Sequence, residues 1–195
     1  MKYIQLLAPA KNYEQGCAAI DHGADAVYVG PAHGGARQQA GNSVEDIKKL
    51  CDYAHRFGAH VHATLNTIVY DEEMEATVRL ARELVDAGVD AFLVQDMGLL
   101  EQLKEWVPAH VALHASTQCD TRTAEKAAWL RQQGFDRVVL ARELSLKEIA
   151  DIHKALPDLE LEAFVHGALC VSYSGICYAS QYCFGRSANR GACAQ

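Results

Sequence analysis

With 195 residues, half of them apolar and 22% charged, the chain can bury a core of its own, which excludes a disordered segment. A formal net charge of −7 excludes a surface coated all over with basic residues, though an acidic protein can still hold one local basic groove. The opening residues MKYIQLLAPAKNYEQG hold an apolar run too short for a signal peptide or a membrane span, so a cytoplasmic protein with no membrane span is expected.

Short apolar runs at residues 5–7, 26–29, 60–65, 91–94, 112–115, 137–140 and 161–164 read as strands, with helical patterns between them. Residues 43–56 read as a helix because Ser43 supplies a cap and Glu45 and Asp46 suit the positive end. Residues 71–87 read as another, since Met74, Val78, Ala81 and Val85 recur on one face. Gly23, Gly58, Gly88 and Gly134 follow successive helical stretches, where a left-handed stop is cheapest for glycine. Consecutive β/α units without a linker predict an α/β fold of the TIM-like β/α barrel type. A doubly wound sheet would carry a glycine-rich fingerprint after its first strand, whereas Ala8-Pro9-Ala10-Lys11-Asn12 stands there. About seven units are present and an eighth strand is missing, so the expected barrel is incomplete. Residues 1–165 read as barrel units and 166–195 as a segment rich in cysteine and glycine.

Barrel enzymes carry their chemistry on the loops that follow the strands. Polar residues concentrate at those places, among them Asp96 and Glu143. Tyr28, Asn66, Gln95, Gln118 and Arg142, with Arg37 and Asn42 further along the second loop, are the substrate-binding candidates. His114 and Ser116 lie two apart and share a strand face, while Glu162 and His166 straddle the end of the seventh strand. These four are the catalytic candidates. His60 and His62 are also two apart, and one of them is expected inside the barrel as a hydrogen-bonded core residue. No G-x-S-x-G or H-E-x-x-H setting accompanies any of these histidines.

Cys17, Cys51 and Cys119 lie alone in periodic stretches and read as buried, inert thiols. Cys170, Cys177, Cys183 and Cys193 crowd the end of the chain instead. In a reducing compartment such thiols point to metal or redox chemistry and not to a disulfide framework. Iron-sulfur clusters accept widely spaced thiolates; zinc also takes thiolates but favours short C-x₂₋₄-C knuckles, which this segment lacks.

The run from Glu162 through Phe164, His166 and Gly167 to Cys170, then Ser174-Gly-Ile-Cys177 and Ser180, resembles the signature of peptidase family U32. LLAPAKN, ADAVYVG, AGNSVEDI, HATLNTIVYDEE, LVQDMGLL, LHASTQ and SANRGACAQ extend the resemblance over nearly the whole chain. The loop at 31–39 departs from the family pattern, with His33-Gly34-Gly35 before Ala36-Arg37. The resemblance implies a barrel truncated before the family's C-terminal region. It also implies an iron-sulfur cluster in the full-length protein, held by Cys170, Cys177, Cys193 and one further cysteine outside this sequence, and one that this fragment need not retain. The implied activity is hydroxylation of RNA or a similar aromatic substrate. A collagenase-like peptidase acting on peptides and a non-catalytic RNA-binding module are the alternatives.

Overall fold

The computed structural model describes residues 4–35, 41–167, 170 and 172–194. Seven strands, β1 (Leu7–Ala10), β2 (Ala26–Val29), β3 (His60–Leu65), β4 (Ala91–Val94), β5 (Ala112–Ala115), β6 (Arg137–Val139) and β7 (Glu160–Glu162), pair in parallel in chain order. The helices α1 (Tyr13–Asp21), α2 (Val44–Arg56), α3 (Asp71–Asp86), α4 (Met97–Lys104), α5 (Ala124–Gln133) and α6 (Leu146–Ala155) fill the crossovers between them. A strand order that never reverses belongs to a barrel and not to a doubly wound sheet. The sheet is curled: Arg137 Nη2 on β6 donates to Gln5 Oε1, just ahead of β1, at 2.7 Å. Among the described residues β7 does not pair with β1, so the curl is a barrel left open on one side.

Strand alternation divides the sheet into two unlike faces. Val27, Val29, Val61, Ala63, Leu65, Phe92, Val94, Leu113, Ala115 and Val138 face outward and are buried under the helices, where Ile47, Leu50, Leu84, Leu99, Leu103, Leu130 and Ile152 meet them. This layer between sheet and helices is the hydrophobic core, and among the described residues no side chain beyond Leu161 belongs to it. The concave face carries the polar residues of the next section.

Local chemistry sets the helix ends. Ser43 caps α2 by accepting from Asp46 N at 3.1 Å, and Ser145 and Glu148 form a reciprocal capping box at α6. Gly23, Gly58, Gly88 and Gly134 all have positive φ, as their places after helices require. None of the described helices is long and apolar enough to cross a membrane.

Three strand boundaries differ from those expected. The strand at 5–7 forms instead at Leu7–Ala10 and includes Pro9. Among the described residues β1 pairs only with β2, so the missing N–H of Pro9 takes no bond from the ladder. β6 stops at Val139, because Leu140 makes an isolated bridge to Thr121. β7 runs from Glu160 to Glu162 and not to 164, since Phe164 and Val165 have left the sheet and are exposed.

Candidate functional site

The concave face holds a buried polar array. His62 on β3 and His114 on β5 are 4% and 3% exposed, and their rings meet edge to face with centroids 4.9 Å apart. Burial pushes the His62 pKa down to about 4, and the positive Arg137 adds to the effect. His114 is also held well below the ordinary histidine range, first by burial and then by His62 and Arg137. Both rings are therefore neutral at pH 7, and the Nδ1 atom of each is buried without a hydrogen-bond partner.

Arg137 occupies the β6 position that registers with His114. It donates to Glu160 Oε2 from Nε at 2.9 Å and from Nη2 at 2.7 Å. Its Nη1 lies 3.7 Å from Glu162 Oε2, with both side chains nearly buried. Burial nevertheless raises the Glu162 pKa, because Arg137 offsets only part of the desolvation. Glu162 Oε2 has no hydrogen-bond partner of its own.

At the C-terminal rim Asn66 Nδ2 donates to Ser116 Oγ at 3.1 Å, and both residues are buried. Ser116 Oγ also accepts from Gln118 N at 3.3 Å, which fixes the 3₁₀ turn Thr117–Cys119. Gln95 Oε1 is buried here without a partner. Gln118 lies on the wall of a cleft of about 700 Å³, together with Arg122, Lys126, Tyr173, Ser174 and Ile176. The Arg122 guanidinium stands 5.1 Å from the Tyr173 ring centroid.

The other candidates lie elsewhere or are committed to holding the fold. Tyr28 is the exception, since it registers with His62 on the adjacent strand and so shares the concave face. Asn42 Nδ2 joins two loops by donating to Lys11 O at 3.0 Å and Gly30 O at 2.9 Å. Arg142 grips the segment beyond β7, its Nε donating to Ser174 Oγ and its Nη2 to Ser172 O, while Glu143 accepts from Ser174 N. Asp96 caps α4 by accepting from Leu99 N. His166 is exposed, four residues past β7, and does not share a strand face with Glu162. Arg37 lies outside the described residues. The interior histidine, His62, lacks the Nδ1 partner expected of a core residue, while the half-exposed His60 lies outside the barrel with its Nδ1 3.2 Å from Asp90 Oδ1.

Of the three isolated thiols expected to be buried, only Cys51 is, while Cys17 and Cys119 are partly exposed at the margin of the core. Burial raises the pKa of Cys51 to about 12 and that of Cys119 to about 11, which suits inert core thiols. Cys177 is shifted down, by the Ser172 hydroxyl and then by the Ala179 N–H, with Ser180 N–H adding to it. Cys193 Sγ lies 3.9 Å from Ser180 Oγ, so Ser180 stands between the two thiols. A thiol biased toward thiolate, with a second beside the same serine, fits the donor chemistry of a thiolate-held cofactor. Among the described residues no three His, Cys, Asp or Glu side chains gather to hold a metal ion, so Cys170, Cys177 and Cys193 do not by themselves form a closed metal site.

The family model described as peptidase family U32 matches residues 11–195. The chain belongs to this family. This U32 chain is 53% identical over 192 residues to the 23S rRNA 5-hydroxycytidine C2501 synthase of Escherichia coli K12, covering 98% of the chain and 29% of that relative. It is 38% identical over 196 residues to tRNA hydroxylation protein P of Helicobacter pylori J99, covering 100% of the chain and 46% of the relative. The chain thus spans less than half the length of these two relatives. A solved structure described as a U32 peptidase superposes with a TM-score of 0.69 at 19% identity, over 84% of this chain and 69% of that one, which shows the shared barrel fold.

Two features of the U32 chain went unread in its sequence, the charge of Arg137 beside His62 and the anchorage of Asn189 and Arg190. His62 and Arg137 look like strand residues, and only the fold shows that they face one another across the curl. The charge of Arg137 at the head of the apolar run RVV was the available signal, since a cation in a barrel strand needs partners inside. Asn189 and Arg190 engage residues more than a hundred positions earlier, which local pattern does not reveal.

Proposed function

We propose that this U32 chain is the barrel portion of an iron-sulfur-dependent enzyme that hydroxylates a base of ribosomal RNA. The observation that carries the reading is 53% identity, over 98% of the chain, to a relative named as an rRNA 5-hydroxycytidine synthase. Hydroxylating a base carbon replaces C–H by C–OH, an oxidation that draws its oxygen from a co-substrate. Asn66 and the unpartnered Gln95 Oε1 offer amide groups to the edge of a base at the rim. The neutral His62 and His114 line the interior below and keep it polar without adding charge. Glu162, its pKa raised, is suited to hold a proton there. Tyr173, Arg122 and Lys126 in the adjoining cleft are the aromatic and cationic groups that hold unpaired nucleotides by stacking and phosphate contact. Cys170, Cys177 and Cys193 would hold the cluster with a fourth ligand from outside this sequence, and when bound it would supply single electrons.

Hydrolysis of peptides, the reading implied by the family's name, needs an activated nucleophile. Ser116 Oγ is engaged by Asn66 and by the Gln118 N–H, and His114 Nδ1 has no partner, so these two residues do not form a nucleophile and base pair. The test is to supply the full-length protein to cells lacking the relative and to quantify 5-hydroxycytidine in their 23S rRNA by nucleoside mass spectrometry. Restoration of the modified base is expected. Its absence, together with gelatin cleavage by the purified protein that is lost in Ser116→Ala, would reverse the assignment.

A further inference from the structure

The segment beyond β7 is docked by polar contacts, not by apolar burial. Its buried residues include Ser174, Ser180 and Asn189, while Tyr178, Tyr182 and Phe184 stay exposed. One attachment is at the β6 side of the rim, where Ser174 meets Arg142 and Glu143. The other is at the β3 side and is built from the 3₁₀ turn Ala188–Arg190.

That second attachment is dense. Asn189 O accepts from Ile68 N at 3.1 Å, and Asn189 Oδ1 accepts from Cys177 N at 2.8 Å. Arg190 Nη1 donates to Glu73 Oε2 at 2.9 Å and to Ile68 O at 3.4 Å, and Nη2 reaches the other Glu73 oxygen. Its guanidinium lies 4.3 Å from the Tyr70 ring centroid. Ile68, Tyr70 and Glu73 follow Asn66 along the β3–α3 connection, so the clasp closes on the loop that carries a rim residue. Glu73 also accepts from Tyr70 N, which ties the clasp to the start of α3.

We infer that the C-terminal segment is a strap across the rim, and that Asn189 and Arg190 are positioning residues that set Cys177 and Cys193 against the β3–α3 loop. Asn189 holds Cys177 through its backbone, and Cys193 follows Arg190 by three residues, with Ser180 linking both thiols. A forked guanidinium stacked on an aromatic ring fixes direction as well as distance, which a lysine at the same place does not. The role of the strap in cofactor binding rests on the function proposed above; its existence does not.

Hydrogen exchange followed by mass spectrometry or NMR tests the strap in the full-length protein. In Arg190→Ala, exchange at the Cys177 and Ile68 amides should accelerate about tenfold or more, while the β3 and β4 amides keep their protection. Arg190→Lys should fall between, having charge without the fork. After anaerobic reconstitution, iron content should fall in the same order. Unchanged exchange at Cys177 and Ile68 in Arg190→Ala, or full iron content despite lost protection, would overturn the positioning role. A parent protein that binds no iron would instead overturn the cofactor reading, leaving the strap to be decided by exchange alone.

Discussion

The imidazole of His62 meets that of His114 at 87° between ring planes, and neither Nδ1 has a hydrogen-bond partner. Both pKa values are depressed in the folded chain, so the unfolded chain binds more protons at mildly acid pH. The stability contributed by the neutral rings is present above the ordinary histidine value of 6.5 and is lost as pH falls toward about 4. For His62 alone the loss between about pH 7 and about pH 5 is of order 2 kcal/mol. Glu162 acts in the opposite sense, since its raised pKa favours the folded state as pH falls. Urea denaturation of the parent and of His62→Gln across this range separates the two. The acid-side loss should be smaller by about that amount in the variant, and parallel curves would refute neutral burial of His62.

Arg137 is the brace of the same array, bonded to Glu160 and Gln5 and close to Glu162. Arg137→Met should lower stability by about 3 kcal/mol, because it leaves the Glu162 carboxylate buried without a counter-charge. Adding Glu162→Gln should restore part of that loss, by removing the stranded charge. Thermal melts of the two variants decide the matter, and a double variant no more stable than the single one would sink the explanation.

Gly16 lies inside α1, where alanine would ordinarily favour the helix by about 1 kcal/mol. Here a Cβ would sit 2.5 Å from Leu50 Cδ1, and Leu50 is fully buried in α2. Overpacking of this kind costs about 1–3 kcal/mol, so the contact outweighs the propensity. Gly16→Ala should therefore lower the melting temperature, and a rise would show that α1 and α2 can move apart freely.

The sequence legibility of the fold and of the site differs for physical reasons. Four of the seven strands, β2 to β5, fall where their apolar runs lie, because outward positions such as Val27, Val61 and Phe92 must be buried under helices. The strands at the open edges were misplaced, since Pro9 is tolerated where a strand has one neighbour and the pairing of β7 ends at Glu162. Rim residues Asn66, Ser116 and Gln118 were readable as positions after strands, and they are brought together. The pairing of Arg137 with Glu160 follows from the register of adjacent strands, which local pattern does not show, and His62 comes under the influence of Arg137 because the sheet curls β3 toward β6. Arg142 read as a substrate-binding residue, and its side chain instead holds Ser172 and Ser174 of the segment that follows β7.

Tyr173 projects from the strap, mostly exposed, with the Arg122 guanidinium beside it and Lys126 on the same cleft wall. An unpaired base stacked on an aromatic ring contributes about 1–3 kcal/mol. Tyr173→Ala should weaken binding of a short unpaired oligoribonucleotide about tenfold, measured by fluorescence anisotropy, whereas Tyr173→Phe should keep it. Equal affinity in all three proteins would remove this cleft from the RNA surface.

Cys170, Cys177, Cys183 and Cys193 share one short segment, yet the proposed cofactor asks different things of them. Cys177 and Cys193 flank Ser180, and Cys177 is biased toward thiolate by the Ser172 hydroxyl and the N–H groups of Ala179 and Ser180. Cys183 is exposed near the end of α7 (Ala179–Phe184). Ligation requires a thiolate that the surrounding chain holds in place, and an exposed thiol at a helix end gains no such support. In full-length protein reconstituted without oxygen, Cys170→Ala, Cys177→Ala and Cys193→Ala should each lose iron, sulfide and visible absorption, while Cys183→Ala should retain them. Equal retention in all four variants, or stoichiometric zinc in the parent, would return these thiols to structural or zinc-binding roles.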